Sequence, residues 1–154
     1  MRPDGAFEPE QVAWYARQCA EAAARNGGPA TALMFFHVPL PEYAEAFRTA
    51  PLSGSRLEGE CPPRDNTGMF RALVEGGEVI GVFTGHDHSN DYIAEKEGIA
   101  LGYGRYSGGY GEYQELLSGV RVIRLEAGRR GFTTWIRQAN GRERHRTEFP
   151  REEK

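Results

Sequence analysis

Two histidines with one residue between them, His86 and His88, directly follow an apolar run that ends at Thr84-Gly85. Side chains two positions apart on an extended segment point to the same side, so this pair can aim at one spot just past the end of a strand. Imidazole suits zinc, iron, copper and nickel, and two metal ions about 3.5–4 Å apart could each take one histidine of such a pair. The same spacing is also typical of a solvated turn, so the prediction of a metal site depends on the rest of the chain.

A third histidine, His37, closes another apolar run, Ala32-Leu33-Met34-Phe35-Phe36. An apolar run without alternation predicts a strand covered on both faces, which we place at residues 30–38. Open α/β sheets bind their ligands at the carboxyl ends of the strands, so a polar residue there is better explained by function than by packing. A histidine that is hydrogen-bonded near the core is the alternative.

Helices and strands alternate along the first half of the chain and must position these histidines. Periodicity and the flanking glycine and proline residues predict helices at 8–26, 41–48 and 66–75 and strands at 30–38 and 78–84. This αβαβ order is typical of a mixed or parallel sheet with covering helices. Beyond residue 91, short β-rich runs between glycine-containing turns predict mostly antiparallel strands.

The end of the chain is polar. We predict a domain over residues 1–138 and a charged, fraying tail over residues 139–154, in which His145 is solvated surface.

Residues 49–66 form a long segment of irregular composition, rich in Pro, Ser, Gly and Glu. A loop of that length within a domain predicts a lid or a substrate-facing segment. Glu58 and Glu60 lie within it, and we expect both to be solvated.

The loop from Tyr103 to Tyr113 is rich in glycine and tyrosine. Glycines allow backbone amides to approach a ligand closely, while the tyrosines offer flat walls and hydroxyl donors. Arg105 is the candidate for binding phosphate, because a guanidinium binds phosphate oxygens in a fork, and Tyr103 is the candidate beside it. A tight glycine turn packed under aromatic rings is the alternative.

Composition excludes some classes of function. The chain has 19 basic and 22 acidic residues and a net charge of −3, so we predict no nucleic-acid binding. No apolar stretch is long enough to span a membrane, and no apolar segment follows Met1 as in a secretory signal. We expect a cytoplasmic protein if the chain is complete and leave secretion open if an N-terminal part is missing. Cys19 and Cys61 lack metal-ligand spacing and are most simply free thiols.

The motif Gly85-His86-Asp87-His88 resembles the Gly-His-x-His signature that closes the calcineurin-like metallophosphoesterase superfamily. The segment Met34-Phe35-Phe36-His37 is similar to the strand-end histidine that precedes this signature. The stretches 36–43, 85–92 and 102–111 resemble more narrowly the purple-acid-phosphatase-related branch. The resemblance runs from about Gln11 to Gln138 and corresponds to the C-terminal half of such an enzyme.

This resemblance implies a fold and a chemistry. The fold would be α/β, the C-terminal half of an α/β/β/α sandwich. The activity would be hydrolysis of a small-molecule phosphate ester by two metal ions, iron, manganese or zinc, that activate a bridging hydroxide. His37 and His86 would bind one metal ion and His88 the other.

The same resemblance makes the polar residues around the histidines candidates for supporting roles. Asp87 would be structural or would orient a ligating histidine. Asn90 and Asp91 are available to accept a hydrogen bond from the free ring nitrogen of such a histidine.

The motifs with which these enzymes begin, Asp-x-His, Gly-Asp-x-x-Asp and Gly-Asn-His-Glu or Gly-Asn-His-Asp, do not occur in the chain. Three imidazoles divided between two metal ions are too few ligands, so we expect weak metal binding and little or no turnover from this chain alone. The histidine that protonates the leaving group is expected in the missing half. That half or another chain would cover an exposed sheet. The alternative function is a non-catalytic binding or interaction module without the dinuclear centre.

Overall fold

The computed structural model describes residues 4–108 and 118–151. The helices are α1 (Pro9–Asn26), α2 (Tyr43–Thr49) and α3 (Met69–Gly76). The strands are β1 (Ala32–Phe35), β2 (Pro51–Ser53), β3 (Val79–Thr84), β4 (Ile93–Lys96), β5 (Ile99–Tyr103), β6 (Gly119–Leu125), β7 (Phe132–Gln138) and β8 (Glu143–Phe149). The three predicted helices and both predicted strands of the first half are confirmed, with ends that shift by a few residues.

The strands form two sheets. The first has the order β1-β3-β5-β4-β2, in which β1, β3 and β5 are parallel neighbours while β4 runs antiparallel to both β5 and β2. The second is an antiparallel meander, β6-β7-β8. This mixed α/β architecture, one mixed sheet and one antiparallel sheet, is consistent with the C-terminal part of the expected sandwich.

The first sheet is covered on one face by the helices and on the other by the second sheet. Strand β3 is buried along its whole length, and its side chains alternate between the two layers. Val82 belongs to the apolar cluster under the helices together with Leu73, whereas Phe83 belongs to the cluster between the sheets together with Phe132. Two separate apolar cores therefore fix the position of the loop that follows β3.

Strand β1 is only partly buried, whereas the prediction was a strand covered fully on both faces. It lies at the edge of the first sheet, and the Phe35 side chain is 63% exposed although it stacks on Phe83. Leu33 packs against the cluster between the sheets, and Met34 packs against the helix-side cluster. The apolar sequence of β1 fits the packing on both of its faces. That pattern did not predict that β1 lies at the edge of the sheet.

The predicted charged tail is wrong for the segment that forms β8. Residues 143–149 pair with β7, and Phe149 is only 3% exposed in the core between the sheets. The composition is polar because the outer face of β8 carries arginine and glutamate side chains that reach solvent. The second sheet therefore crosses the domain boundary that we placed after residue 138.

Cys19 is buried, Cys61 is exposed, and both are free thiols, as predicted. In the part of the chain that the structure describes, no helix combines the length and the apolarity needed to cross a membrane.

Candidate functional site

His37 and His86 lie side by side at the carboxyl ends of two parallel neighbouring strands, β1 and β3. Their backbones remain paired beyond the strands, because the Gly85 amide donates a hydrogen bond of 3.0 Å to the His37 carbonyl. The two ring centroids are 5.3 Å apart and the rings are almost perpendicular. Gly85 permits this approach, since a Cβ at that position would lie 3.3 Å from His37 Nδ1. Both imidazoles are exposed to solvent.

The loop that carries His86 is a tight turn and not an extended segment. His86 has a φ of 69°, and the Asp87 amide donates a 2.8 Å hydrogen bond to the Gly85 carbonyl. This combination is the rarer, strained form of a γ-turn. The assumption that His86 and His88 share one side of an extended chain is therefore wrong. The His88 ring lies against Tyr106, with 5.0 Å between the ring centroids.

Residues 4–108 and 118–151 contain no group of three or more His, Cys, Asp or Glu side chains that is arranged to hold one metal ion. His37 and His86 are thus brought together, while the structure shows no ligand set that unites them with a third donor. The metal-binding roles of His37, His86 and His88 stay predictions.

Asp87 points inward between the two outward-facing histidines of the motif. Its side chain is buried, and the Tyr103 hydroxyl donates a hydrogen bond of 2.5 Å to Asp87 Oδ2. The Cys61 amide donates to Asp87 Oδ1 over 3.2 Å. Burial, together with the hydrogen bond to Asp87, raises the pKa of Tyr103 well above its ordinary value, so this hydroxyl remains a donor at neutral pH. Tyr103, proposed from the sequence to touch a substrate, is 0% exposed.

Asn90 and Asp91 contact the backbone of the neighbouring loop. The Ser55 amide donates to Asp91 Oδ1 over 2.7 Å, and the Leu57 amide donates to Asn90 Oδ1 over 3.0 Å. These bonds fasten residues 54–61, the central part of the predicted lid, to the histidine loop. These contacts of Asn90 and Asp91 hold residues 54–61 in place. The predicted contacts to the rings of the ligating histidines are not among them.

Glu60 is not solvated, contrary to the prediction. Its side chain is 3% exposed, accepts a 2.7 Å hydrogen bond from the Tyr92 hydroxyl and pairs with Arg56 at 2.8 Å. Burial alone would raise the pKa of Glu60, but the hydrogen bonds from Arg56 and Tyr92 outweigh it and hold the pKa below its ordinary value. Glu58 is half-buried and accepts a hydrogen bond of 2.5 Å from the Ser89 amide. Both carboxylates therefore tie the loop to its surroundings.

Arg105, the phosphate candidate, is paired with Asp91. Its Nη1 lies 2.6 Å from Asp91 Oδ2, and the two side chains are 5% and 3% exposed. His145 Nε2 lies 3.8 Å from the same carboxylate oxygen. His145 is a half-buried residue with a φ of 56° at an irregular point of the β7-β8 pairing, and the prediction of plain surface is wrong for it.

Arg121 is a structural cation that the sequence analysis did not single out. It donates to the carbonyl oxygens of Tyr103 and Asp91 and to Thr134 Oγ1, so it joins the second sheet to the site. Burial lowers the pKa of Arg121 to about 10, which leaves it charged at neutral pH. The sequence contained a sign of this burial, because Arg121 is two residues before Ile123 and therefore lies on the same, inward-packing face of β6.

A cleft of about 510 Å³ opens beside the histidine pair, between the edges of the two sheets. Aromatic side chains of β1 and β3 form its walls, and His37, Arg105 and Arg121 contribute its polar lining. Residues 109–113 of the glycine- and tyrosine-rich loop lie outside the described residues. The cleft can accept a molecule with a flat apolar part, and its cations are already engaged by protein groups.

The fold and the strand-end histidines define a phosphoesterase-type α/β sandwich, and the comparison with known proteins agrees. No family model matches the chain. It is 41% identical over 108 residues to the probable inactive purple acid phosphatase 14 of Arabidopsis thaliana, a match that covers 69% of this chain and 27% of that protein. It is 37% identical over 110 residues to the probable inactive purple acid phosphatase 29 of the same plant, covering 68% of this chain and 28% of the relative.

The relatives that match about two thirds of this chain are thus purple-acid-phosphatase-related proteins that are named as probably inactive. The chain spans about a quarter of the length of the curated relatives that it matches, with shares of 27% and 28% for the two proteins named above.

Proposed function

We propose that this chain supplies the histidine-bearing strand ends of a metal-dependent phosphoesterase site whose substrate is a small-molecule phosphate ester. The observation that carries the proposal is the contact between His37 and His86, whose ring centroids lie 5.3 Å apart at the carboxyl ends of β1 and β3. Both rings are exposed, so their nitrogens are accessible to a metal ion from solvent. The similarity to purple-acid-phosphatase-related proteins supports the same class of site.

The donor set fits a metal ion only in part. Imidazole suits iron or zinc, but within the described ranges no third His, Cys, Asp or Glu side chain completes a ligand group with the pair. In a phosphoesterase, metal ions would polarise the phosphate and activate water. With the described residues alone, no catalytic step can be built on such ions. The proposed site therefore requires ligands from beyond these residues.

We propose that a preceding segment of a longer protein, or another chain, provides those ligands and covers the open side of the sandwich. Phe35 on the edge strand β1 and Val120 and Leu125 on β6 are 63%, 49% and 58% exposed. Large apolar side chains near the free edges of two stacked sheets are typical of a surface that another segment covers. The matches cover only 27% and 28% of the two relatives, which supports the first source.

Metal titration of the chain tests the proposal. We expect weak binding of Zn²⁺ or Mn²⁺ by calorimetry, and loss of that binding in His37→Ala and in His86→Ala. His145→Ala is the control, since it removes an imidazole that lies outside the pair, and its titration should match wild type. Equal binding by wild type and by the His37→Ala/His86→Ala double variant would contradict the proposal.

A non-catalytic binding module is the second candidate. Two observations favour it: the relatives are named as probably inactive, and Asp91 balances the charge of Arg105. Hydrolysis of p-nitrophenyl phosphate with added Mn²⁺, Fe²⁺ or Zn²⁺ tests whether the chain alone is catalytic. We expect no turnover from this chain alone under either candidate. Turnover that disappears in His86→Ala would show that the chain is a complete phosphoesterase and would exclude the non-catalytic module.

A further inference from the structure

The orientation of the His86 side chain depends on an unusual backbone conformation. A φ of 69° places His86 in the left-handed region, which a residue with a Cβ adopts only when its surroundings enforce it. The flanking backbone is held at two points: Gly85 donates to the His37 carbonyl, and the Asn90 amide donates to the Asp87 carbonyl over 3.2 Å. The Asp87 amide closes the turn by donating to the Gly85 carbonyl over 2.8 Å, but none of these backbone bonds ties Asp87 to the core.

The Asp87 side chain attaches the end of the turn to the buried Tyr103. Asp87 is only 5% exposed. Both of its carboxylate oxygens accept hydrogen bonds, one from the Tyr103 hydroxyl and one from the Cys61 amide. A buried carboxylate without these donors would move toward water, because an unsatisfied buried charge is strongly unfavourable. Movement of Asp87 would release the turn and allow His86 to return to an ordinary backbone conformation.

Tyr103 is well placed to resist such movement. It is fully buried on β5, and its ring packs edge-on against Tyr92 and Tyr43, with centroids 5.0 Å and 5.3 Å away. Its carbonyl accepts from Arg121, so the residue is held at its backbone as well. The hydroxyl that Asp87 accepts from thus belongs to a rigid part of the core.

We propose that Asp87 and Tyr103 are a positioning pair, in which the buried hydrogen bond between them holds the left-handed turn that presents the His86 imidazole to His37. The pair acts on the backbone that carries the histidine, and neither side chain contacts a metal ion or a substrate. This inference rests on the proposed function for its ligand, a divalent metal ion, but its geometric part can be tested without metal.

Four variants of the full chain test the pair. Tyr103→Phe removes the hydroxyl that Asp87 accepts from. Tyr92→Phe is the matched control, because Tyr92 is equally buried and its hydroxyl donates to a different carboxylate, Glu60, over 2.7 Å. Asp87→Ala removes the acceptor. Asp87→Asn should retain the position of His86, since the asparagine side chain can accept from the Cys61 amide through its oxygen and donate to the Tyr103 oxygen through its nitrogen.

Two readouts are compared. The first is the nuclear Overhauser effect between ring protons of His37 and His86 without metal, which the ring separation of 5.3 Å predicts for wild type. The second is Zn²⁺ affinity by calorimetry. We expect Tyr103→Phe and Asp87→Ala to lose the ring contact and to bind Zn²⁺ about tenfold more weakly, the effect of removing a group that orients a ligand. Tyr92→Phe and Asp87→Asn should retain both.

The outcomes separate the two proposals. If the ring contact is lost only in Tyr103→Phe and Asp87→Ala, the positioning pair is supported even when wild type binds no Zn²⁺, and the proposed metal function is then the part that fails. If those variants retain the contact and the affinity, the positioning pair is wrong. It is also wrong if Tyr92→Phe loses both to the same extent, because the effect would then be a general loosening of the core.

Discussion

Asp91 Oδ2 and Arg105 Nη1 form a buried ion pair, 2.6 Å apart, and Arg105 also lines the cleft beside the histidines. Asp91 also accepts from the Ser55 amide through its other oxygen. One nitrogen of a guanidinium that would suit phosphate is thus engaged by a carboxylate of the same chain. The pair joins the histidine loop, the glycine-rich loop and residues 54–61, so its first role is structural.

Removal of Arg105 should therefore destabilise the protein strongly. Arg105→Ala leaves the Asp91 carboxylate buried without its ion partner, and breaking a buried pair in this way costs about 3–5 kcal/mol. Arg71→Ala is the control, because the Arg71–Glu75 pair is exposed, at 71% and 62%, and an exposed pair contributes little to stability. Urea unfolding at neutral pH measures both. Similar losses in the two variants would contradict the structural role of the pair.

Glu60 should make the protein sensitive to acid. The pKa of Glu60 is lowered in the folded state, so its contribution to stability is present above its ordinary pKa and is lost as the pH falls through the lower, folded value. Glu60→Gln should be less stable than wild type at pH 7, and the difference should shrink as the pH falls below about 4. Urea unfolding from pH 7 to pH 3 gives the comparison. A difference that stays constant over this range would show that the charge of Glu60 does not contribute.

The reactivity of Cys61 should report the charge of Asp87. The negative charge of Asp87, followed by burial, raises the pKa of the Cys61 thiol, so less thiolate is present at pH 8 than for an ordinary exposed cysteine. Asp87→Asn removes this charge, lowers the thiol pKa and should speed alkylation by iodoacetamide severalfold. Mass spectrometry follows Cys61, and the buried Cys19 serves as an internal reference. An unchanged rate of Cys61 alkylation in Asp87→Asn would show that the Asp87 carboxylate does not lie beside the thiol.

Phe35 and Phe132 should respond differently to truncation. Phe132 is 2% exposed between the sheets, and Phe132→Ala should cost about 3–5 kcal/mol of unfolding free energy. Phe35 is 63% exposed, so Phe35→Ser should cost no more than about 1 kcal/mol, chiefly its stacking on Phe83. Phe35→Ser should also reduce self-association in sedimentation experiments, because it removes an apolar side chain from an open edge. A large loss of stability in Phe35→Ser would mean that this edge is covered.

Much of the fold follows from local patterns. The helical rhythm through Tyr15 and Cys19 predicted α1, and both residues face the core. The apolar run through Val82 predicted β3, which is buried on both faces. The contact between His37 and His86 was also expected, because parallel strands bring their carboxyl ends to one edge whatever separates them in sequence.

The sequence by itself determined which segments become helices and strands, and it placed two histidines at one edge of a sheet, because these properties depend on periodicities within a few residues. The tertiary structure alone decided the left-handed turn at His86, the burial of Glu60, the engagement of Arg105 by Asp91 and the exposed edge of β1. Each of these depends on which distant side chain lies opposite. A charge, an apolar run or a tyrosine in one segment cannot reveal that partner.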